Sequence, residues 1–260
     1  MNNGHLRICF DIVYSGAMEK ERFQTDSFGL KVIAIIAMTA NHFAHVFHGH
    51  LPSIVYTICI GVGGMTFPIM AFQIAEGYKY TRDVKKYALR LAVFTIASFL
   101  PFYLVLGEQL NVIATLLLGL LVIWADDASQ GNSNKRLAFY LFFIAAIVAT
   151  HWCDWSYVGV PMIYLYHRGQ GKKWQVVAPA TLVWMMGATF VLDFITRGSY
   201  AYYLPYYLPS FLYFFVGVSA TIPLLLAYRG KQGRKMKYFF YIYYPLHIVA
   251  LGLLERIIYG

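Results

Sequence analysis

The sequence predicts an all-α fold: a polytopic transmembrane helical bundle of about nine spans with a cytoplasmic N-terminus. Of the 260 residues, 59% are hydrophobic and only 13% are charged, whereas a soluble domain carries about 25% charged residues. The apolar residues form long runs between short polar breaks, without the strict alternation of barrel strands. So much apolar surface must face a lipid bilayer, which excludes a disordered protein and an ordinary cytosolic enzyme.

Cysteine content and charge exclude further classes. The three cysteines, Cys9, Cys59 and Cys153, lie far apart and form no CxxC pair, so neither a disulfide framework nor a zinc site is predicted. The net charge of +9 is typical of basic cytoplasmic loops in a membrane protein. It therefore does not indicate a nucleic-acid partner.

The chain divides into an N-terminal segment and a transmembrane domain. Residues 1–28 lack the pattern of a signal peptide and are interpreted as a cytoplasmic segment with a short surface helix. Residues 29–260 form the transmembrane domain. Its nine apolar runs lie near residues 30–48, 54–76, 88–106, 110–126, 137–151, 156–167, 174–196, 208–228 and 238–257. Since a span takes about 20 residues, the fifth and sixth runs are short for a crossing.

Two of these runs carry features that shape their helices. In the second run, Gly61, Gly63 and Gly64 predict close helix packing, and Pro68 predicts a kink. Before the eighth run, the stretch SYAYYLPYYL at 199–208 is typical of an interfacial aromatic belt. The same tyrosines would also suit a carbohydrate-stacking platform.

The basic residues predict the orientation of the bundle. Of the 21 lysines and arginines, 19 fall in the N-terminal segment or in every second break, and only Arg197 and Arg256 fall elsewhere. The positive-inside rule then places the N-terminus in the cytoplasm and the C-terminus outside. This alternation requires an odd number of spans.

The first run carries histidines inside the predicted span, where a lipid-facing helix carries apolar residues. A charge at the centre of a span costs about 2.5–3.5 kcal/mol on the insertion scale, so such groups usually face the protein interior and mark function. The helical period aligns Lys31, Ile35, Met38, His42 and His45 along one stripe. His42 lies about 18 Å from the start of the run, slightly beyond the midplane.

These histidines allow three interpretations. They can pack and hydrogen-bond within the bundle, act in catalysis, or bind a metal. His42, His45 and His48 follow an i, i+3, i+6 series in which only neighbours share a face, and no carboxylate or cysteine run accompanies them. No metal site is therefore predicted, and a functional role for His42 is favoured over packing.

A second polar cluster follows the second run. Glu76, Lys79, Arg82 and Arg90 lie at the predicted cytoplasmic surface, on the same side as Lys31. Such residues can anchor the bundle to lipid headgroups, but arginine also binds phosphate through bidentate hydrogen bonds. For Glu76 and Arg90, a mutual ion pair or a ligand contact is predicted.

The sequence leaves the roles of two further polar sites open. His247 follows Pro245, which lacks an amide hydrogen and opens the helical ladder. The histidine either satisfies the freed carbonyls or takes part in catalysis. Asp154 and His151 lie in an outer break, where they are either solvated or guide a substrate.

Four segments of the chain resemble a known family. They are LKVIAIIAMTANH at 30–42, FPIMAFQIAEGYKYTRDVKKYALRL at 67–91, LNVIATLLLGLL at 110–121 and YYPLHI at 243–248. Together they resemble the TraX family of membrane acetyltransferases, named after the protein that acetylates the N-terminus of F pilin. The first motif of that family usually ends in Asp-His, whereas this chain has Asn41-His42, so only the histidine carries over.

The resemblance implies a set of roles. TraX-like proteins are similar to a wider superfamily of membrane acyltransferases, which includes the type 3 polysaccharide O-acyltransferases and lysosomal heparan-glucosaminide acetyltransferase. This implies acetyl-CoA as a cytoplasmic donor substrate and an intramembrane catalytic histidine, and it allows an acceptor on the far side. The residues expected to bind the donor are Lys31, Glu76, Lys79, Arg82 and Arg90, and those expected to act in catalysis are His42 and His247.

We therefore expect an acyl-CoA-dependent acetyltransferase, multi-pass in the bacterial inner membrane. It would move acetyl from acetyl-CoA to a pilin-like peptide N-terminus or to a cell-surface sugar, with the intramembrane histidine as base or acyl relay. One alternative is a proton-coupled small-solute transporter that uses the same histidines as proton relays. No inverted repeat is evident in the sequence to favour it. Another alternative is a non-catalytic scaffold for surface assembly.

Overall fold

A computed structural model describes residues 24–107, 110–197 and 200–260. Regular structure within these ranges is helical, which confirms the predicted all-α class. Cys9 and most of the predicted surface helix in residues 1–28 lie outside the described residues. The first described helix begins at Ser27, slightly earlier than the boundary predicted for the transmembrane domain, because the side chain of Asp26 caps it by accepting a hydrogen bond from Gly29 N.

The described residues form eleven α-helices. They are α1 (Ser27–Val46), α2 (Ser53–Gly63), α3 (Thr66–Tyr80), α4 (Val84–Leu106), α5 (Val112–Ala128), α6 (Ser133–Ala149), α7 (Gly159–Arg168), α8 (Val177–Arg197), α9 (Tyr200–Phe211), α10 (Val218–Leu226) and α11 (Lys237–Tyr259). Short 3-10 turns occupy His48–His50, Thr150–Trp152 and Lys173–Gln175, and a π-helical segment, Leu212–Gly217, joins α9 to α10.

The chain is a membrane protein. Among the described residues, seven segments are long and apolar enough to cross a bilayer. They are Ser27–Val46, Ser53–Tyr80, Val84–Leu106, Ser133–Trp152, Val177–Arg197, Tyr202–Leu226 and Tyr238–Tyr259. The other two predicted spans are helices of 17 residues, α5, and 10 residues, α7, or about 25 Å and 15 Å long. The count of nine spans therefore stays a prediction.

Successive segments run in opposite directions, so the basic breaks gather at one end of the bundle, here called the basic face. Thr25 N donates to Ala227 O at the start of α1. Tyr78 at the end of α3 donates to Asp127 at the end of α5, at 2.9 Å. At the other end, here called the opposite face, Leu110 forms a bridge with Cys153. This grouping is the one that the alternation of basic breaks requires.

The second predicted span is broken just before Pro68. Helix α2 ends at Gly63, and α3 begins at Thr66. A proline disrupts a helix in the turn before it, because its ring clashes with the carbonyl four residues earlier, here that of Gly64. The predicted kink of this span is therefore confirmed, and it falls at the glycines that precede Pro68.

Close glycine packing is also confirmed. The Cα of Gly63 faces the side chain of Asn41, and Gly64 packs on the backbone of Tyr213 and Gly217 in the π-helical segment. These glycines let α2 approach α1 and the π-helical segment. The buried core lies around α3, α5 and α7, with Ile69, Leu120 and Ile163 fully buried.

Candidate active site

Two cavities enter the bundle from its two faces. The basic-face cavity has a volume of about 440 Å³ and extends from the loops at that face to Met38 and Tyr244. Its lining consists mainly of α1, α3, α4 and α11, with the start of α5. The polar and charged residues among that lining are Ser27, Lys31, Thr66, Gln73, Glu76, Tyr80, Thr81, Tyr87, Arg90, Tyr228, Gln232, Tyr241 and Tyr244.

The opposite-face cavity is wider and more polar, with a volume of about 1160 Å³. It lies between α1, α2, the end of α4, and the α9–π segment. Its polar residues are Asn41, His42, His45, His48, Ser53, Tyr56, Asp154, Tyr206, Ser210 and Tyr213. His42 therefore lies at the inner end of this cavity, while Met38, one turn earlier on α1, lines the basic-face cavity.

His42 and His247 form a buried pair between α1 and α11. The two side chains are separated by 205 positions in the sequence, yet His42 Nδ1 lies 2.7 Å from His247 Nε2. Their ring planes differ by 17° and their centroids are 5.0 Å apart, as a nearly in-plane N–H···N bond requires. Both residues are buried.

The partners of His247 fix the proton positions in the neutral pair. His247 Nδ1 lies 2.9 Å from the carbonyl oxygen of Tyr243, and since a carbonyl only accepts, this nitrogen carries a hydrogen. His247 Nε2 is then the acceptor, and His42 Nδ1 is the donor. The remaining nitrogen, His42 Nε2, is left with a free lone pair and no hydrogen-bond partner among the described residues. This is the arrangement of a base held in one tautomer by a second group.

Neighbouring contacts hold the pair in position. Thr39 and Tyr243 join α1 to α11 through their hydroxyls at 2.8 Å. The His42 ring packs edge-on against Phe102 and Tyr244, with centroids 6.2 Å and 6.1 Å away. Asn41, the residue that departs from the Asp-His pattern, packs instead against Gly63. In this chain His247, rather than the residue before His42, orients the imidazole.

Three of the five residues predicted to bind a donor line the basic-face cavity: Lys31, Glu76 and Arg90. Lys31 Nζ lies 5.6 Å from the centre of the Phe240 ring. Arg90 lies over the ring of Tyr87, with 5.4 Å from Cζ to the centroid. Both cations therefore rest on aromatic rings.

Glu76 and Arg90 do not form the predicted mutual ion pair, since neither takes part in an ion pair within the described part of the chain. Glu76 is buried. Burial, and then the carboxylate of Glu76, raise the pKa of the neighbouring Tyr228 hydroxyl. A ligand contact for Glu76 and Arg90 stays a prediction.

The other two predicted donor-binding residues, Lys79 and Arg82, are exposed and lie outside the lining of the cavity. Lys79 Nζ rests 5.1 Å from the centre of the Tyr80 ring. Because Tyr80 and Thr81 line the mouth, these two cations flank the entrance without facing into it.

Sequence reasoning missed the uncharged polar groups of the basic-face cavity. Among the described residues, seven buried side-chain N or O atoms lack a hydrogen-bond partner. Four of these atoms belong to residues that line this one cavity: Thr66 Oγ1, Gln73 Nε2, Arg90 Nε and Tyr244 OH. Buried polar groups are normally paired, so their convergence indicates a polar ligand. Gln73 was a visible signal, because an amide within a predicted span is costly.

The two polar residues of the predicted outer break, Asp154 and His151, have different surroundings in the structure. Asp154 lines the opposite-face cavity, and burial raises the pKa of its carboxyl to about 6. His151 lies outside that lining, with Nδ1 2.6 Å from the hydroxyl of Tyr157. His45 and His48 line the same cavity as Asp154.

A separate polar cluster lies at the basic face. Asp126, Asp127 and His167 could each offer one ligand atom to a cation, within 4.8 Å of one another. Asp126 is fully buried, but Arg136 contacts it at 2.5 Å and Arg168 at 3.5 Å. Two guanidinium groups already neutralise this carboxylate, so the cluster is an ion-pair network that ties α5 to α6 and α7.

Comparison with known proteins adds two findings. A family model described as TraX protein matches residues 27–255. The chain is also 30% identical over 244 residues to the probable fimbrial assembly protein FimC, serogroup H1, of Dichelobacter nodosus, a match that covers 86% of this chain and 93% of that protein. No solved structure matches.

Proposed function

The chain belongs to the TraX family, and from this premise we propose that it is an acyl-CoA-dependent acetyltransferase of the bacterial inner membrane. It takes acetyl from acetyl-CoA on the cytoplasmic side and transfers it to a pilin-like peptide N-terminus or to a cell-surface sugar. The observation that carries the proposal is the His42–His247 pair, which lies between the two cavities. His42 lines the opposite-face cavity, and Met38 and Tyr244, each about one helical turn from the pair, line the basic-face cavity.

The basic-face cavity suits the donor. Lys31 and Arg90 offer positive charge and form no ion pair among the described residues, so they are available to a phosphate group. Many of the other residues that line the cavity are apolar, which suits the pantetheine arm. Lys31 and His42 are eleven positions apart on α1, or about 16 Å along its axis, a distance that a long flexible arm can span. Glu76 can accept a hydrogen bond from a hydroxyl or an amine of the donor.

The opposite-face cavity suits the acceptor. His42 Nε2 carries a free lone pair in the neutral pair, so it can take a proton from an amine or hydroxyl as that group attacks the acetyl carbon. The positive charge on His42 can then be shared with His247 through their common hydrogen bond. Alternatively His42 Nε2 can accept the acetyl group and pass it on. Asp154 lines the same cavity and can help to orient the acceptor.

The relative's name bears on the choice of acceptor. That protein is described as a probable fimbrial assembly protein, and fimbriae are built from pilin subunits. This favours a pilin-like peptide over a saccharide.

Transfer from labelled acetyl-CoA tests this function. Purified protein in detergent should release CoA and move the label to a peptide with a free N-terminus, but not to the same peptide with a blocked one. A solute transporter or a scaffold should do neither, and failure to bind or use acetyl-CoA would overturn the proposal.

Two variants of His247 test the pair itself. His247→Leu removes the acceptor for His42 Nδ1–H, and we expect it to lower the rate by about 10²–10⁴-fold. His247→Gln supplies a carbonyl that can accept the same hydrogen, so it should retain more activity. Equal rates in the two variants would show that His247 does not set the tautomer of His42.

A further inference from the structure

The inner end of the basic-face cavity holds two hydroxyls, on Thr66 and Tyr244, that have no assigned role. Neither Thr66 Oγ1 nor Tyr244 OH has a side-chain hydrogen-bond partner among the described residues, and both atoms are buried. Leaving such a group unpaired is destabilising. Both side chains line the cavity, so a bound molecule can supply the missing partner.

The hydroxyl of Tyr244 lies in the wall of the cavity without a partner. Its oxygen forms no hydrogen bond among the described residues, so its hydrogen still needs an acceptor. Val112, the first residue of α5, lines the same cavity. The start of α5 adds the partial positive charge of a helix N-terminus.

Thr66 also lacks the hydrogen bond that two other threonines of the spans, Thr39 and Thr95, form. Thr39 and Thr95 donate to carbonyls of the preceding helical turn, at 2.8 Å and 2.9 Å. Thr66 is the first residue of α3, directly after the break that ends α2 at Gly63. No such bond forms there, and its hydroxyl stays available.

Both hydroxyls lie on the side of the histidine pair that faces the basic face. Tyr244 precedes His247 by three residues, and its ring centroid is 6.1 Å from that of His42. Asn41, next to His42, packs against Gly63, and Thr66 follows Gly63 by three residues, directly after the break between α2 and α3.

We propose that Tyr244 and Thr66 bind the carbonyl oxygen of the acyl thioester and stabilise the negative charge that develops on it. This inference rests on the proposed function. The acceptor nitrogen or oxygen forms a bond to the acetyl carbon, and the carbonyl π electrons move to the oxygen, where the two hydroxyls donate. His42 Nε2 takes the acceptor's proton. The carbonyl then re-forms, the C–S bond breaks, and the CoA thiolate leaves and receives that proton.

Two hydroxyl deletions test this role: Tyr244→Phe and Thr66→Val. Their matched controls are Tyr140→Phe on α6 and Thr95→Val on α4, which remove the same groups away from the cavity. Loss of one donor to an oxyanion typically lowers kcat by about 10²–10³-fold. We expect a loss of this order for Tyr244→Phe and a clear loss for Thr66→Val, with little change in the Kd for acetyl-CoA. Both controls should behave as wild type.

Infrared spectra of bound acetyl-CoA, labelled with ¹³C at the carbonyl, give a readout that a purely structural role would not change. In a His42→Gln background that blocks turnover, hydrogen bonds from the hydroxyls should move the carbonyl stretch to lower frequency. The Tyr244→Phe substitution should reverse most of that shift.

The outcomes are distinguishable. If wild type transfers acetyl while Tyr244→Phe and Thr66→Val keep the rates of their controls, the two hydroxyls have no such role, although the proposed function stands. The inference would also be overturned if the carbonyl stretch did not shift, or if the two variants lost only affinity for acetyl-CoA. If wild type neither binds nor uses acetyl-CoA, the proposed function fails and this role fails with it. Should Tyr244→Phe fail to fold, Thr66→Val decides.

Discussion

At the scale of the residue, the site depends on groups that the protein leaves without partners. Arg90 lines the basic-face cavity and forms no ion pair among the described residues, and His42 Nε2 has no hydrogen-bond partner there. Folding alone gains nothing from such groups, because a buried polar atom without a partner is destabilising. Their presence along the two cavities favours a bound substrate over a purely structural role.

Arg90→Ala should weaken acetyl-CoA binding by about 1.5–3 kcal/mol, the range for hydrogen bonds to charged groups. This corresponds to roughly a 10- to 150-fold increase in Kd. Lys79→Ala removes a nearby cation that is exposed and outside the cavity, so its effect should be much smaller. Calorimetric titration with acetyl-CoA measures both variants. If both variants lost the same affinity for acetyl-CoA, the basic residues at this face would act only as a diffuse positive surface.

Asp154 should make the stability of the protein dependent on pH. Burial raises the pKa of this carboxyl to about 6 in the folded state, against about 3.9 in an unfolded chain. Between these values the folded state binds more protons, so stability falls as the pH rises from about 4 to 6 and stays lower above that range. The neighbouring titratable groups, Cys153, Tyr213 and Tyr244, add no compensating positive charge.

Asp154→Asn removes this titration while keeping the shape of the side chain. The melting temperature of wild type in detergent, relative to that of the variant, should fall as the pH rises from about 4 to about 6 and then level off. The difference should amount to at most about 3 kcal/mol, since one pKa unit is 1.36 kcal/mol. If the melting temperatures of the two proteins changed with pH in parallel, Asp154 would be solvated and its carboxyl would have an ordinary pKa.

At the scale of the element, the break between α2 and α3 positions much of the site. It places Thr66 at a helix start beside the basic-face cavity, and it lets Gly64 pack directly on the backbone of Tyr213 and Gly217. The π-helical segment Leu212–Gly217 carries Tyr213 into the opposite-face cavity. π-helical turns are rare and frequently occur at functional sites.

Gly64→Ala should therefore destabilise the bundle. A Cβ at this position meets the carbonyl of Tyr213, a backbone group that cannot move aside, and overpacking of this kind costs typically about 1–3 kcal/mol. Gly49→Ala is the control, because no atom lies within 4 Å of the added Cβ. Thermal unfolding in detergent compares the two. If Gly64→Ala melted at the temperature of the control, the contact between α2 and the π-helical segment would not be a tight one.

At the scale of the whole molecule, the sequence predicted what depends on local pattern. The all-α class and the close packing of Gly61, Gly63 and Gly64 follow from composition and spacing, and the structure confirms them. The stripe on α1 was also predicted, since helical period alone aligns Lys31 with His42. The break in the second span was predicted as well, since a proline disrupts the helical turn before it.

The remaining features depend on three-dimensional contacts that spacing does not give. His42 and His247 were both candidates, but their hydrogen bond joins residues 205 positions apart. Lys79 and Arg82 fell outside the cavity because the rotation of α3 about its axis is set by packing. Tyr244 went unnoticed because an aromatic residue in a span is ordinary until its hydroxyl is seen to lack an acceptor.

The topology of the whole chain is directly testable. With the basic face in the cytoplasm and nine crossings, the C-terminus after α11 should lie outside. A C-terminal reporter that is active only in the cytoplasm should stay silent, while one that is active only outside should give signal. A strong cytoplasmic signal would mean an even number of crossings, and the 10-residue α7 would be the first segment to re-examine.

The central claim is that acetyl passes from a donor at the basic face to an acceptor by way of His42. Inverted membrane vesicles, which expose the cytoplasmic face, provide the direct measurement when labelled acetyl-CoA is added outside. Vesicles with wild-type protein should incorporate the label into an acceptor. His42→Gln, which roughly keeps volume and hydrogen bonding but cannot act as a base near neutral pH, should bind the donor and lose about 10²–10⁴-fold in rate. Incorporation at the wild-type rate by His42→Gln would contradict the account.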